Sequence, residues 1–120
     1  MIRKQTKLWT TREKQKIRIC DMSDSHLLNT IRMVKRVAIR EKAEQTRLAW
    51  SFASMMHGDM ASYFAEQECD SIDRAHWSDE RFATDFWEPL MLDAERRGGA
   101  VWKQAQAVEW GQELRGVERV

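Results

Sequence analysis

The stretch from Lys16 to Arg36, "KIRICDMSDSHLLNTIRMVKR", changes its hydrophobic spacing near its middle. Ile17 and Ile19 alternate with polar residues, which is typical of a strand that buries one face. Further along, apolar residues recur every three or four positions, as they do on one face of a helix: Leu27, Ile31, Val34 and Ala38. The sequence therefore predicts a strand that passes into an amphipathic helix after a short connection.

A second β-rich segment, "KLWTT" from Lys7 to Thr11, precedes this strand and is separated from it by "REKQ". Two such segments joined by a short polar loop are typical of a β-hairpin. We therefore expect a hairpin over residues 7–20 with a four-residue loop. Because an isolated hairpin is only marginally stable, its apolar face is expected to lie on a helix.

Polar residues mark the start of the first helix. Asp21, Ser23 and Asp24 are expected to bond to the free amide groups of the first helical turn. With Ser23 as the N-cap, Met22 and Leu27 occupy the two positions of a hydrophobic staple. The helix is therefore predicted to begin at Ser23 or Asp24.

Glu41 and Gln45 fall on the continuation of the apolar face of this helix. Charged and amide side chains are uncommon on a buried face. A break or a kink is therefore predicted between residues 41 and 46, and a second helix is expected to begin near Thr46.

Further helix signals follow along the chain. Asp59 and Ser78 are candidate N-terminal caps, and the only proline suits the first turn of a helix from Pro89 to Arg97. Gly98 and Gly99 would end that helix, and a last helix follows. We predict a mainly α, single-domain protein over residues 1–120, in which a short N-terminal β-hairpin packs on a bundle of about four to five helices within residues 23–114.

Charge is divided unevenly along the 120 residues. Residues 1–50 hold 13 Lys or Arg against 5 Asp or Glu, a balance of +8, whereas residues 51–120 hold 7 against 14, a balance of −7. The two halves could attract each other within one chain or in a homodimer, or the basic half could bind nucleic acid. The chain contains no apolar run long enough to span a membrane and no signal-peptide pattern, so a cytoplasmic location is expected.

Two cysteines and two histidines form a candidate zinc set: Cys20, His26, Cys69 and His76. Thiolate and imidazole ligands suit tetrahedral zinc, but the Cys-to-His spacings are longer than those of the usual closed sites. No Gly-rich nucleophile turn, phosphate-binding loop or His-Glu-x-x-His motif occurs. The sequence therefore predicts a protein without catalysis, cofactor or dedicated metal site, and zinc binding remains an alternative.

Two groups of residues are candidates for partner binding. The first is a basic set on the predicted helices, suited to an acidic protein surface or to phosphates: Arg32, Arg36, Arg40 and Arg47. The second is Trp102 with Trp110, which are eight positions apart and project from similar sides of the last helix. Another protein, nucleic acid or a second copy of the chain are the partners that these residues leave open.

Three segments, "WTTREKQKIRICDMSDSHLLNTIRMVKR", "GDMASYFAEQE" and "PLMLDAERRG", resemble a family of small uncharacterised bacteriophage and prophage proteins. The resemblance covers Trp9 to Gly98, and it departs from the family pattern at "REKQ", where the turn usually contains Gly. It implies a phage origin and a site of action in the host cell. By analogy with other small phage proteins, binding of a host protein, such as a component of antiviral defence, is the expected function. Nucleic-acid binding is the first alternative and zinc binding the second.

Overall fold

The computed structural model describes residues 2–55, 58–82 and 84–112, and it is mainly helical with a two-stranded antiparallel hairpin at the N-terminus. The predicted fold class is therefore confirmed. In chain order the elements are β1 (Leu8–Thr10), β2 (Lys16–Arg18), a 3-10 turn (Ile19–Asp21), α1 (Asp24–Met55), α2 (Asp59–Arg74), a second 3-10 turn (Glu80–Phe82), α3 (Trp87–Arg97) and α4 (Gly99–Glu109). Contacts divide the chain into a first unit (Met1–Lys35 with Asp85–Val120) and a second unit (Arg36–Thr84).

The hairpin is shorter than the sequence predicts. β1 and β2 pair with Trp9 opposite Ile17, and the second strand ends before Ile19 and Cys20, which belong to the 3-10 turn. The Ile19 amide still donates to the Lys7 carbonyl at 3.1 Å, and the Cys20 amide donates to the Gln5 carbonyl at 2.9 Å. Both acceptors precede β1. Hydrogen bonding therefore continues past the strand while the backbone already turns toward α1.

The loop of the hairpin runs from Thr11 to Gln15, one residue longer than predicted. Lys14 has a φ of 64°, in the left-handed region that glycine adopts without steric cost. Its amide donates to the Thr11 carbonyl at 2.9 Å, which closes the turn. "REKQ" thus builds a glycine-type turn without a glycine.

The predicted start of α1 is confirmed. The His26 amide donates to the Ser23 hydroxyl at 3.2 Å, so Ser23 is the N-cap, and both residues of the staple, Met22 and Leu27, are buried. Asp21 and Asp24, however, accept hydrogen bonds from arginine side chains rather than from backbone amides.

The core of the first unit joins the hairpin, the first part of α1 and the last two helices. Trp9 and Phe86 meet edge to face, with their ring centroids 4.8 Å apart. Lys35 donates to carbonyl groups at the end of α4 and satisfies part of that helix terminus. The buried apolar residues are Ile19, Met22, Leu27, Leu28, Ile31, Val34, Leu90, Met91, Ala94, Ala105 and Val108.

A buried carboxylate connects α3 to the start of α1. Asp93 is fully buried and accepts hydrogen bonds from Arg96 at 2.9 Å and Arg97 at 2.8 Å. Arg97 also donates to Asp24 at 2.8 Å and to the Ile19 carbonyl at 3.2 Å. One guanidinium therefore ties three parts of the first unit together.

The predicted break between residues 41 and 46 is wrong, because α1 runs without interruption from Asp24 to Met55. Polar groups on its inner face are satisfied by the chain that returns after α2. Gln45 donates to the Arg81 carbonyl at 2.8 Å, and Lys42 donates to the Ala75 carbonyl at 2.8 Å. A polar residue on a packed face therefore did not require the helix to end, since backbone carbonyls of the same unit accept its hydrogen bonds.

The core of the second unit is small. Ala38, Ile72 and Phe82 form a buried cluster, and Ala49, Ala75 and Trp77 pack against it. The helix expected from Ser78 does not form there. Only a 3-10 turn follows, held by the Thr84 hydroxyl, which donates to carbonyls of Ser78 and Asp79, both at 3.0 Å, and α3 begins later, at Trp87.

Replacing Lys14 by Gly is expected to raise the free energy of unfolding by about 0.5–1 kcal/mol, because glycine adopts the left-handed conformation without the Cβ clash. The matched control is Glu13→Gly in the same loop, where φ is not positive. That change is expected to lower stability slightly, since it only adds freedom to the unfolded chain. Urea denaturation of both variants measures the difference, and a destabilised Lys14→Gly protein would contradict the assignment of the turn.

Asp93→Asn is expected to lower the free energy of unfolding by about 3 kcal/mol, because it leaves two arginines facing a neutral amide in a buried site. Burial by itself would raise the pKa of Asp93, but hydrogen bonds from Arg96 and Arg97 outweigh it and hold the pKa below its usual range. The carboxylate therefore adds stability above the ordinary Asp pKa, and this contribution is lost as the pH falls through the lower folded value.

The control for this buried pair is Asp21→Asn, which removes a half-exposed ion pair with Arg18. Its cost is expected to be much smaller than that of Asp93→Asn, because solvent screens exposed pairs. Denaturant titrations at neutral and acidic pH compare the two variants. Equal costs for Asp21→Asn and Asp93→Asn would show that Asp93 does not anchor the first unit.

Candidate functional site

Large apolar side chains at the end of the second unit point into solvent. They belong to the last two turns of α1 and the first two turns of α2, and each is between about half and three quarters exposed. Met55 is the extreme case, at 77%. We call this group the apolar surface, and it consists of Leu48, Phe52, Met55, Met60, Tyr63 and Phe64.

The α1 part of the apolar surface occupies one side of the helix. At 100° per residue, Leu48, Phe52 and Met55 fall within about 60° of each other around the helix axis. Trp50 is also exposed but lies about 160° from Leu48 around the axis, so it is not part of this surface. The three residues therefore form a stripe along α1.

This stripe borders an open groove between the two helices of the second unit. The groove has a volume of about 560 Å³ and is lined by Leu48, Phe52 and Met55 on one side and by Glu68 and Ile72 on the other. On α2, the rings of Tyr63 and Phe64 meet edge to face at 5.9 Å. Gln45 and Ser51 also line the α1 side, so the groove is mainly but not wholly apolar there, and Glu68 places one carboxylate at its α2 side.

The sequence produces this exposure because small residues occupy the inner faces of both helices. α2 buries Ala65, Cys69 and Ile72, whereas α1 turns Ala38 and Ala49 inward. Small side chains fill little space, so the larger apolar residues at neighbouring positions remain outside. Several large apolar side chains of the second unit therefore remain on its surface, although Phe82 is buried.

Exposed charged residues of the second unit carry opposite signs on its two helices. Arg36 and Arg40 of α1 are exposed and form no ion pair within the described part of the chain. On α2, the exposed acidic residues that likewise have no ion pair among the described residues are Asp59, Glu66, Glu68, Asp70 and Asp73. The second unit thus presents unneutralised positive charge on α1 and unneutralised negative charge on α2.

The four arginines predicted as a partner-binding set have different environments. Arg32, in the first unit, donates to Asn29 at 2.9 Å. Arg47 forms an ion pair with Glu44, one turn earlier on α1, and this hydrogen bond holds the pKa of Glu44 below its usual range. Arg36 and Arg40 are the members of the set that are exposed without an ion pair in the described residues.

The two tryptophans of the last helix differ in exposure. Trp102 is half-buried and packs against the core of the first unit. Trp110 follows the end of α4 and is 68% exposed. The expectation that both rings project from similar sides assumed that both lie on the last helix. α4 ends at Glu109, so Trp110 lies just beyond it.

The four candidate zinc ligands each have other neighbours. Cys20 lies 3.8 Å from the Asp21 carboxylate, and the His26 amide caps α1. Cys69 is buried in the second unit, and the His76 ring bonds to the Ser78 hydroxyl at 2.7 Å. Among residues 2–55, 58–82 and 84–112, no three His, Cys, Asp or Glu side chains are grouped so that they could hold a metal ion.

Sequence reasoning missed the apolar surface, although a signal for it exists in "LAWSFASMMHGDMASYF" from Leu48 to Phe64. Large apolar residues in this stretch fall on several sides of a helix rather than on one third of its circumference. A helix that packs on the rest of its chain along one face cannot bury apolar residues that lie on several sides. Such an excess is the sequence signature of an exposed apolar surface.

No protein-family model matches the chain, and neither a curated protein nor a solved structure does. None of the described helices combines the length and apolar content that crossing a membrane requires.

The two cysteines are expected to differ in reactivity. Cys69 is buried, and burial together with Asp73, Asp70 and Glu68 raises the pKa of its thiol. Cys20 is partly exposed, so a thiol reagent at neutral pH should label Cys69 at least about tenfold more slowly than Cys20. Mass spectrometry of a labelling time course measures both rates, with the urea-unfolded protein as control. Equal rates in the folded protein would contradict the packing of α2.

Proposed function

We propose that this chain is a non-catalytic binding protein that acts by contact with another protein. The observation that carries the proposal is the apolar surface at the end of the second unit. The resemblance to bacteriophage proteins makes a host protein the target, and a component of antiviral defence fits that origin. In this proposal the protein acts in the cytoplasm of the host cell.

The size of the apolar surface supports a protein partner. Six large side chains, each half to three quarters exposed, present roughly 750 Å² when a fully exposed large side chain counts about 200 Å². The largest apolar patch on a typical monomer is about 300–600 Å². The sum is taken over side chains on two helices, and exposure of this much apolar area is costly in water and favours coverage by another molecule.

The composition of the surface supports the same reading. Phe52, Tyr63 and Phe64 are aromatic, and Met55 and Met60 are flexible apolar residues, both of which are enriched at the centre of protein interfaces. Glu68 is the charged residue that lines the groove, and the other lining residues are apolar or uncharged. An apolar centre with a charged rim is the usual arrangement of a protein–protein interface.

The state of the buried thiol supports a function without catalysis. A nucleophilic cysteine needs a lowered pKa and access to a substrate. Cys69 has a raised pKa and is buried among acidic neighbours, so it is suited to packing.

Nucleic-acid binding is the second candidate function, and the exposed Arg36 and Arg40 favour it. They lie one turn apart on α1 and could contact successive phosphates. Glu41 and Glu44 lie on the same stretch of helix, however, and Glu44 neutralises Arg47. The proposal of a protein partner therefore takes precedence.

The test compares the folded wild-type protein with the double variant Phe52→Ser/Phe64→Ser in pull-downs from a lysate of the bacterial host. Both rings are exposed, so the variant is expected to fold normally. Capture of a stoichiometric host protein is expected to fall at least about tenfold, since two aromatic anchors are lost. Leu8→Ser, a change at a half-exposed residue of the first unit, is the control and should capture as well as wild type.

Equal capture by wild type and Phe52→Ser/Phe64→Ser, or no capture by the folded wild type, would reject the protein-partner proposal. Titration with duplex DNA examines the second candidate. Binding that weakens steeply with salt and is lost in Arg36→Gln/Arg40→Gln would support nucleic-acid binding, whereas no binding at low salt would remove it.

A further inference from the structure

We infer that a second copy of this chain covers the apolar surface of the free protein, so that two second units pair in a symmetric homodimer. The inference rests on the proposed function, because it names what occupies the same surface. Three properties of the second unit carry it: the area of the apolar surface, the small size of its own core, and the opposite charges of its two helices.

The exposed apolar area is similar to the area that each partner buries in a stable dimer. The apolar surface presents roughly 750 Å², and a standard protein–protein interface buries about 800 Å² on each partner. Pairing two copies through this surface would therefore form an interface of standard size with no contribution from other parts of the chain. In a two-fold symmetric pair the same residues are covered on both copies, so the apolar surface of neither copy stays exposed.

The core of the second unit is too small to explain its stability alone. Among the described residues of this unit, Ile72 and Phe82 are the only buried apolar side chains larger than cysteine. The remaining buried apolar residues, Ala38, Ala65 and Cys69, are small. Units well below about 70 residues rarely build a sufficient core by themselves, and association with a second chain is a common remedy. Two helix pairs that share their apolar faces would form the core of a four-helix arrangement.

The charges identify the partner as this chain itself. The α1 part of the second unit, residues 36–55, carries 4 Lys or Arg against 2 Glu, a balance of +2, and α2 carries 5 Asp or Glu against 1 Arg, a balance of −4. In a symmetric pair, α1 of each copy can lie beside α2 of the other. Arg36 and Arg40 would then approach carboxylates such as Glu66 and Glu68, which have no ion pair among the described residues.

The direct test is the mass of the full-length protein by light scattering at tens of micromolar. The dimer predicts twice the chain mass of 14.2 kDa. Phe52→Ser/Phe64→Ser is expected to return the protein to the mass of one chain, whereas Leu8→Ser should leave the dimer intact. A wild-type mass of one chain at this concentration, or a Phe52→Ser/Phe64→Ser protein that remains dimeric, overturns the inference.

A charge exchange tests the pairing of α1 with α2. Arg36→Glu/Arg40→Glu places glutamates opposite the carboxylates of α2 in every copy, and Glu66→Lys/Glu68→Lys places lysines opposite Arg36 and Arg40, so each variant alone should be monomeric. An equimolar mixture should form a dimer of two chains, because each contact then joins opposite charges. Apolar association without defined geometry would not produce this exchange. Two variants that each dimerise alone, or a mixture that stays monomeric, would overturn the predicted arrangement.

The same variants separate the dimer from the proposed function. If the wild type is monomeric but loses host-protein capture on Phe52→Ser/Phe64→Ser, the apolar surface binds the host protein directly and only the dimer inference fails. If Phe52→Ser/Phe64→Ser dissociates the dimer and leaves host-protein capture unchanged, the dimer stands and the proposal that the apolar surface contacts the host protein fails.

Discussion

The second unit depends on hydrogen bonds that Lys42 and Gln45 of α1 donate to backbone carbonyls of the chain returning after α2. Both side chains leave the inner face of α1, where apolar residues would otherwise be expected. They satisfy carbonyls at the end of α2 and in the following 3-10 turn, which have no helical partner of their own. Because these bonds hold the returning chain, a cluster as small as Ala38, Ile72 and Phe82 can serve as a core.

This arrangement has a consequence for the surface. Polar contacts fix the returning chain close to α1, and the inner faces carry alanine and cysteine, so little room remains for larger side chains. Leu48, Phe52 and Met55 therefore border a groove instead of filling it. The apolar area that the unit leaves exposed can be buried against a partner, and that burial favours association. The proposed binding function and the inferred dimer both follow from this property.

The first unit is stabilised differently from the second. Its core contains large aliphatic residues, and Asp93, the fully buried charge among its described residues, is matched by Arg96 and Arg97. Arg97 extends the network to Asp24 and to the Ile19 carbonyl, so the start of α1 and the helix α3 are held in one geometry. The first unit therefore buries large side chains and satisfies its buried carboxylate within itself.

Local patterns in the amino-acid sequence were sufficient for the hairpin, for the capping of α1 by Ser23 and for the helix ending at Gly98, because each depends on residues that are neighbours along the chain. They failed at Glu41 and Gln45, where the continuity of α1 depends on carbonyl groups more than thirty positions away. The apolar surface was missed for the same reason. Spacing shows that Phe52 and Phe64 are apolar and helical, but whether an apolar side chain is covered depends on what the rest of the fold brings beside it, and that is a property of tertiary packing.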